Sequence, residues 1–179
     1  MRKVKYIPSG GLAFYEEKEM KKLAKYAKEG WILEKFAGLG YKLRKEESKD
    51  IEYSLDYQKE ADDEYFTFFE AAGWSHVCSA GNEIHIFSAP TGTKPIYTDK
   101  PTTVEKYERE KKQTGKAALP FFISTVVFWL LGVFSNWGGI SESIGIFFQV
   151  LGLISLIILI FPGLPYLSYQ FKLWRLRKE

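Results

Sequence analysis

His76, Cys78 and His85 are the residues of this chain whose types and spacing come nearest to a reactive group. Two imidazoles and a thiol could hold zinc or copper, or answer to oxidants. On a strand, His76 and Cys78 are two apart and share a face. A two-residue turn at Gly81-Asn82 would then set Cys78 directly opposite His85. A closed zinc site wants four protein ligands, and only Glu83 lies near as a fourth. One residue more in the turn would also carry His85 to the other face. The group is therefore read as strand residues packed beside Trp74 and Phe87, with no metal or cofactor expected. A thiol or metal switch at Cys78 is the less favoured alternative. Asp62-Asp63-Glu64 resembles a metal cluster, yet acids in the first turn of a helix are what its dipole favours. The sequence has no phosphate-cradling Gly-Lys-Ser/Thr loop, nucleophile elbow or zinc-protease helix motif. No catalytic residue is assigned, and a non-enzymatic protein is expected.

The elements that must position these residues form a repeat. Gly30-Trp31 and Gly73-Trp74 stand 43 residues apart in similar settings. Before the first, Met20, Leu23, Ala24 and Ala27 fit one helical face; before the second, Phe66 and Phe69 do the same. Each glycine can take the left-handed conformation that stops a helix. After each tryptophan come a short strand, a Gly turn and a returning strand. A further strand precedes each helix: Lys3–Pro8, and 51–57 with strict alternation. The unit is βαββ, used twice (about 1–46 and 50–89). The expected class is α+β, with both repeats in one antiparallel sheet and both helices on one face. Tyr6, Trp31, Tyr41, Tyr53, Tyr57, Trp74 and Phe87 lie on its strands. The uncovered face is expected to keep some of them, as a surface for self-association or a ligand. Trp31, Trp74, His76, Cys78, His85 and Phe87 are the candidates for that face.

Charge divides the chain. Residues 1–99 carry 15 Lys/Arg and 17 Asp/Glu, 100–116 carry 6 and 3, and 117–179 carry 4 and 2. The aromatic and β-branched content excludes a disordered chain. The segments 117–134 and 144–161 hold no formal charge; each would span about 27 Å as a helix, close to a hydrocarbon core of about 30 Å. They are read as a transmembrane hairpin, so a purely soluble protein is excluded. The cytosolic domain (1–89) is followed by a linker (90–101) and a basic helix (102–116) that Thr102 and Glu105 would cap. Pro162-Gly163 would end the second span, leaving a basic tail (162–179). Lys106, Arg109, Lys111, Lys112 and Lys116 precede the first span. Lys172, Arg175, Arg177 and Lys178 follow the second, and the loop 135–143 has no basic residue. Both termini are thus expected in the cytoplasm of a two-span membrane protein, with these nine residues against anionic headgroups. The same attraction explains the basic run without nucleic acid. The opening Met1–Ile7 is not a secretory signal, and one cysteine fits a reducing compartment. Spans without an ionisable residue suit an anchor rather than a transporter.

The pattern of helix, Lys-Glu-Gly30-Trp31 and strand, then Tyr53-x-Leu55-Asp56-Tyr57, then Ala72-Gly73-Trp74, continues into Ile96-Tyr97-Thr98-Asp99 and the basic helix Val104–Lys112. It resembles an uncharacterised bacterial family of small membrane proteins, the domain of unknown function 2812 type. Members of that family are often encoded beside PadR-like regulators, so the resemblance implies membrane-linked regulation and supplies no catalytic residues. Paired βαββ units also resemble GyrI-like effector-binding domains, which hold amphipathic molecules in a groove. The expected partners are the bilayer and a protein, such as a PadR-like regulator or a transporter subunit, with self-association as a further expectation. A small-molecule sensor using the groove or open face of the repeats is the alternative.

Overall fold

The computed structural model describes residues 3–96, 100–137 and 142–178. The chain divides into two units, residues 1–106 and 107–179. In the first, the βαββ pattern occurs twice: β1 (Val4–Pro8), α1 (Leu12–Lys28), β2 (Trp31–Ala37) and β3 (Gly40–Lys45), then β4 (Ile51–Tyr57), α2 (Asp63–Ala71), β5 (Ser75–Ala80) and β6 (Ile84–Pro90). The strand order repeats as well, β1-β3-β2 and β4-β6-β5, each antiparallel. Gly30 (φ 76°) and Gly73 (φ 86°) turn the chain out of α1 and α2 through the left-handed region. A Cβ at Gly30 would lie 2.6 Å from the Glu46 carbonyl oxygen, so that position also needs glycine for space. Asp62 caps α2 by accepting from the Tyr65 amide at 2.9 Å, which is what the acidic run 62–64 does.

The single shared sheet expected from the sequence is instead two three-stranded sheets. A bulge interrupts β2 between Leu33 and Lys35, and another interrupts β5 between His76 and Cys78, at the equivalent place in each repeat. Such bulges bend a strand and end regular pairing. A side chain of the second sheet serves an outward amide of β2: Leu33 N–H donates to the Tyr53 hydroxyl at 3.3 Å.

The two helices do not share a face either. Met20, Leu23 and Ala27 of α1 join Ile7, Leu33, Tyr41 and Leu43 of the first sheet and Tyr53, Leu55, Tyr57, Cys78 and Ile86 of the second in one core. The other core lies under α2, where Phe69 meets Trp74, Phe87 and Ala89. The central strand of the second sheet is thus buried on both faces: β6 carries His85, Ile86 and Phe87 in succession with none exposed.

The second unit is built on α3 (Lys100–Trp137) and α4 (Glu142–Lys178). The α3 helix starts at Lys100, two residues before the expected cap at Thr102. The α4 helix runs through Pro162 and Pro165 to Lys178 and does not end at Pro162-Gly163. Each proline removes one helical N–H, which neighbouring groups in a helix pair can offset. Both helices are long and apolar enough to cross a membrane. Ser155 Oγ donates to the Phe121 carbonyl at 3.0 Å, and Gly152 gives room to the Trp129 ring, where a Cβ would fall 2.5 Å away. Residues 138–141 of the expected outer loop, and Tyr97-Thr98-Asp99, lie outside the described residues.

Candidate functional site

Three adjacent strands place Asp56, His85 and Ser79 in one row. Asp56 on β4 is the register partner of His85 on β6, and His85 is the register partner of Ser79 on β5. Directly opposed residues of an antiparallel pair share a face, so all three lie on the face that α2 covers. Ser79 Oγ is 2.7 Å from His85 Nδ1, and His76 Nε2 is 2.8 Å from the same Oγ. His85 Nε2 lies 2.9 Å from the Gln58 carbonyl oxygen. That oxygen only accepts, so Nε2 carries the hydrogen and Nδ1 of the neutral ring is left to accept from the serine hydroxyl. His76 Nε2–H then donates to Oγ. His85 is fully buried, whereas Ser79 and His76 are exposed. Asp56, 3% exposed, accepts from the Tyr65 hydroxyl at 2.8 Å. The Tyr65 and Phe66 rings stand 5.4 and 5.5 Å from His85, and Phe66 is 4.7 Å from His76.

The expected His76–Cys78–His85 group divides between the two faces. The turn spends Gly81, Asn82 and Glu83 between Ala80 and Ile84, so Cys78 opposes Ile86, and Ser79 takes its place opposite His85. The bulge at Val77 then puts His76 on the face of His85 and Cys78 on the other. Cys78 is buried in the core with α1, and burial pushes its thiol up to about 11. Partial desolvation of its ring, and then the neighbouring His85, hold His76 below the ordinary imidazole value although the residue is exposed. Among the described residues, no three His, Cys, Asp or Glu side chains surround a common point fit for a metal. Ser79 was missed because its importance depends on register, which one turn residue changes.

Of the aromatics expected on an open face, Tyr41, Tyr53, Tyr57, Trp74 and Phe87 are buried. Trp74 donates Nε1–H to the Lys94 carbonyl at 3.0 Å. Trp31 is partly buried beneath the ammonium groups of Lys5 and Lys45, at 5.4 and 5.1 Å from its ring centroid. Tyr6 remains more than half exposed. Helix α1 and the second sheet take up the area that a flat shared sheet would have left bare.

A cleft of about 420 Å³ opens where the two sheets part. Ile32, Ile51, Val77 and Pro90 line it, together with Arg44, Lys49 and Glu34. It is a polar recess walled by the β2 and β5 edges.

Lys106 does not face a headgroup surface. Its side chain is 4% exposed and its ammonium donates to Glu16 at 2.5 Å and to the Leu55 carbonyl at 2.6 Å. Of the other eight basic residues, Lys172 lies over the Tyr107 ring at 4.6 Å, Lys111 over Tyr166 at 5.9 Å and Lys178 over Trp174 at 3.8 Å. Arg177 pairs with Glu108 at 2.7 Å, both exposed. Arg109, Lys112 and Lys116 precede the apolar run of α3 in sequence, and Arg175 follows that of α4.

Residues 15–119 match the family described as Protein of unknown function (DUF2812). The chain belongs to the DUF2812 family. In this DUF2812 protein the match runs from within α1 into α3, a span that holds the positions of Asp56, Ser79, His85 and Lys106. No curated protein and no solved structure matches.

Proposed function

We propose that this DUF2812 protein is a membrane-anchored, non-enzymatic regulatory or interaction module whose βαββ unit binds a protein partner in the cytoplasm, such as a PadR-like regulator or a transporter subunit. The observation that carries the reading is the contrast between the two units. Residues 1–106 build a packed α+β body, while α3 from Ala117 and α4 as far as Gln170 contain only Glu142 as a charged residue. Helices without ionisable groups at membrane depth offer no ion or proton path, so the distinctive chemistry belongs to the folded unit. The basic residues flanking the spans support cytoplasmic termini.

In-cell cross-linking of the full chain, with identification of what is bound, tests the partner. A regulator or transporter subunit recovered through residues 3–96 supports the reading; recovery of only lipid and the chain itself counts against it. A cysteine at Glu142 is expected to react with an impermeant maleimide on intact cells, and one at Lys3 to be protected. The reverse pattern would overturn the orientation. The cleft between the sheets favours a second reading, a sensor of a small amphipathic ligand. A thermal shift of the solubilised protein with one chemical class of amphiphile, lost in Arg44→Ala, would favour it over the partner.

A further inference from the structure

We propose that Ser79 is an activated nucleophile, a site that accepts an acyl group from an activated ester. Three features of the row are those that raise a serine's reactivity. Ser79 is an exposed residue while its base is buried. The Oγ to Nδ1 distance, 2.7 Å, is within proton-transfer reach. The base is itself oriented by a third group, because the Gln58 carbonyl holds Nε2–H at 2.9 Å and leaves Nδ1 as acceptor. His76 adds a third contact, donating to Oγ from 2.8 Å and turning the hydroxyl hydrogen toward His85. Asp56, opposite His85 in register and nearly fully buried, supplies negative charge on the same face when the imidazole takes up a proton. The order carboxylate, imidazole, hydroxyl runs straight across β4, β6 and β5.

The step balances with the ester as the single co-reactant. Oγ attacks the carbonyl carbon and its proton passes to His85 Nδ1. The carbon–oxygen bond to the leaving group then breaks, and His85 returns the proton to the departing oxygen. Ser79 ends as an O-acyl serine and His85 as the neutral imidazole it was. The product is a modified exposed position on the β5 edge, so the proposal concerns uptake of an acyl group and stands apart from the partner-binding reading.

The test treats the solubilised full-length protein with p-nitrophenyl acetate, follows release of p-nitrophenolate, and locates the acetyl group by peptide mass spectrometry. Acetylation at Ser79, absent in Ser79→Ala and slowed roughly 100-fold in His85→Gln, is the expected result. Acetylation confined to other residues, or an unchanged rate in a folded His85→Gln, would overturn it. Because His85 is buried, a second comparison does not depend on that variant. In Ser79→Cys and Ser75→Cys, two exposed positions of β5, iodoacetamide should alkylate Cys at 79 roughly tenfold faster than at 75, since an imidazole beside a thiol favours the thiolate. Equal rates would overturn the proposal, and native Cys78, buried with its thiol pushed up to about 11, does not compete.

Discussion

The two repeats share strand order, glycine junction and bulge position, yet their equivalent tryptophans meet different fates. Trp74 is 2% exposed and hydrogen-bonded, whereas Trp31 lies at the rim of its sheet under two lysine side chains. The difference comes from what each helix covers. The α2 helix packs on the far face of its own sheet and closes over Trp74. The α1 helix is shared between both sheets and bears on β4 as well as β2. Local sequence thus sets a turn and a bulge, while burial is set by which neighbour arrives. The central strands show the same contrast. In β3, buried Tyr41 and Leu43 alternate with the half-exposed Lys42 and Arg44, as in a sheet with one wet face. In β6, both faces are dry.

The sharpest way to break this comparison is to truncate both rings. Trp74→Ala is expected to cost about 3–5 kcal/mol, and Trp31→Ala roughly 1–2 kcal/mol. Native-state hydrogen exchange of the β6 amides in the full chain reads both. Equal costs would mean that the junctions are equivalent in packing after all.

A second difference lies in the helices. The buried side of α1 carries Glu16 and Glu19, while the only buried residue of α2 is Phe69. Lys106 neutralises Glu16 in a site closed to water. Lys106→Met should therefore cost about 3 kcal/mol, because it leaves a buried carboxylate without its cation. Adding Glu16→Gln should restore most of that loss. A double variant no better than the single one would show that the ammonium's bond to the Leu55 carbonyl matters more than the ion pair.

The opposite faces of β5 give a third, pH-dependent test. Folding keeps the Cys78 thiol protonated up to about pH 11, whereas an exposed thiol ionises near 9. Above pH 9 the unfolded chain binds fewer protons than the folded one. Stability therefore falls as pH rises from about 9 to 11, by about 2–3 kcal/mol in all. Tyr41 and Tyr53, whose hydroxyls burial also pushes up, extend the loss above pH 10. Urea unfolding at a series of pH values checks this, and Cys78→Ala should flatten the curve between 9 and 10.

The smallest effect is expected at His76, an exposed residue on the α2 side of β5. His76→Ala should change stability by less than about 0.5 kcal/mol. Before mutation, its ring signals in NMR should titrate below the ordinary histidine range, since partial desolvation disfavours the charged ring. The sign follows: the unfolded chain takes up this proton first, so the contribution of His76 to stability is lost as pH falls.

Much of the fold was legible because its signals are local. Periodicity gave the helices and strands, glycine spacing gave the repeat, and bare apolar runs gave the two long helices. The division into two sheets was not legible, because it depends on side chains of one sheet reaching the edge of the other. The candidate site was half legible. His76 and His85 stand out by type, but their partner is Ser79 rather than Cys78, and only a three-residue turn and a bulge at Val77 decide that. The aromatics misled for the opposite reason: Tyr41, Tyr53 and Tyr57 look like surface candidates in a strand and are core residues here. Lys106 misled by its company, lying in a basic run whose other members belong to the second unit.

The hydrogen bond from Leu33 N–H to the Tyr53 hydroxyl has a bearing on how the chain survives crowding. An edge strand with free amides is a template on which another chain can add a strand and start a fibril. On β2 a tyrosine from the neighbouring sheet occupies one such amide, and the adjoining bulge bends the strand away from the straight form that stacking requires. The irregularity that divides the sheet thereby also guards its margin against runaway self-addition.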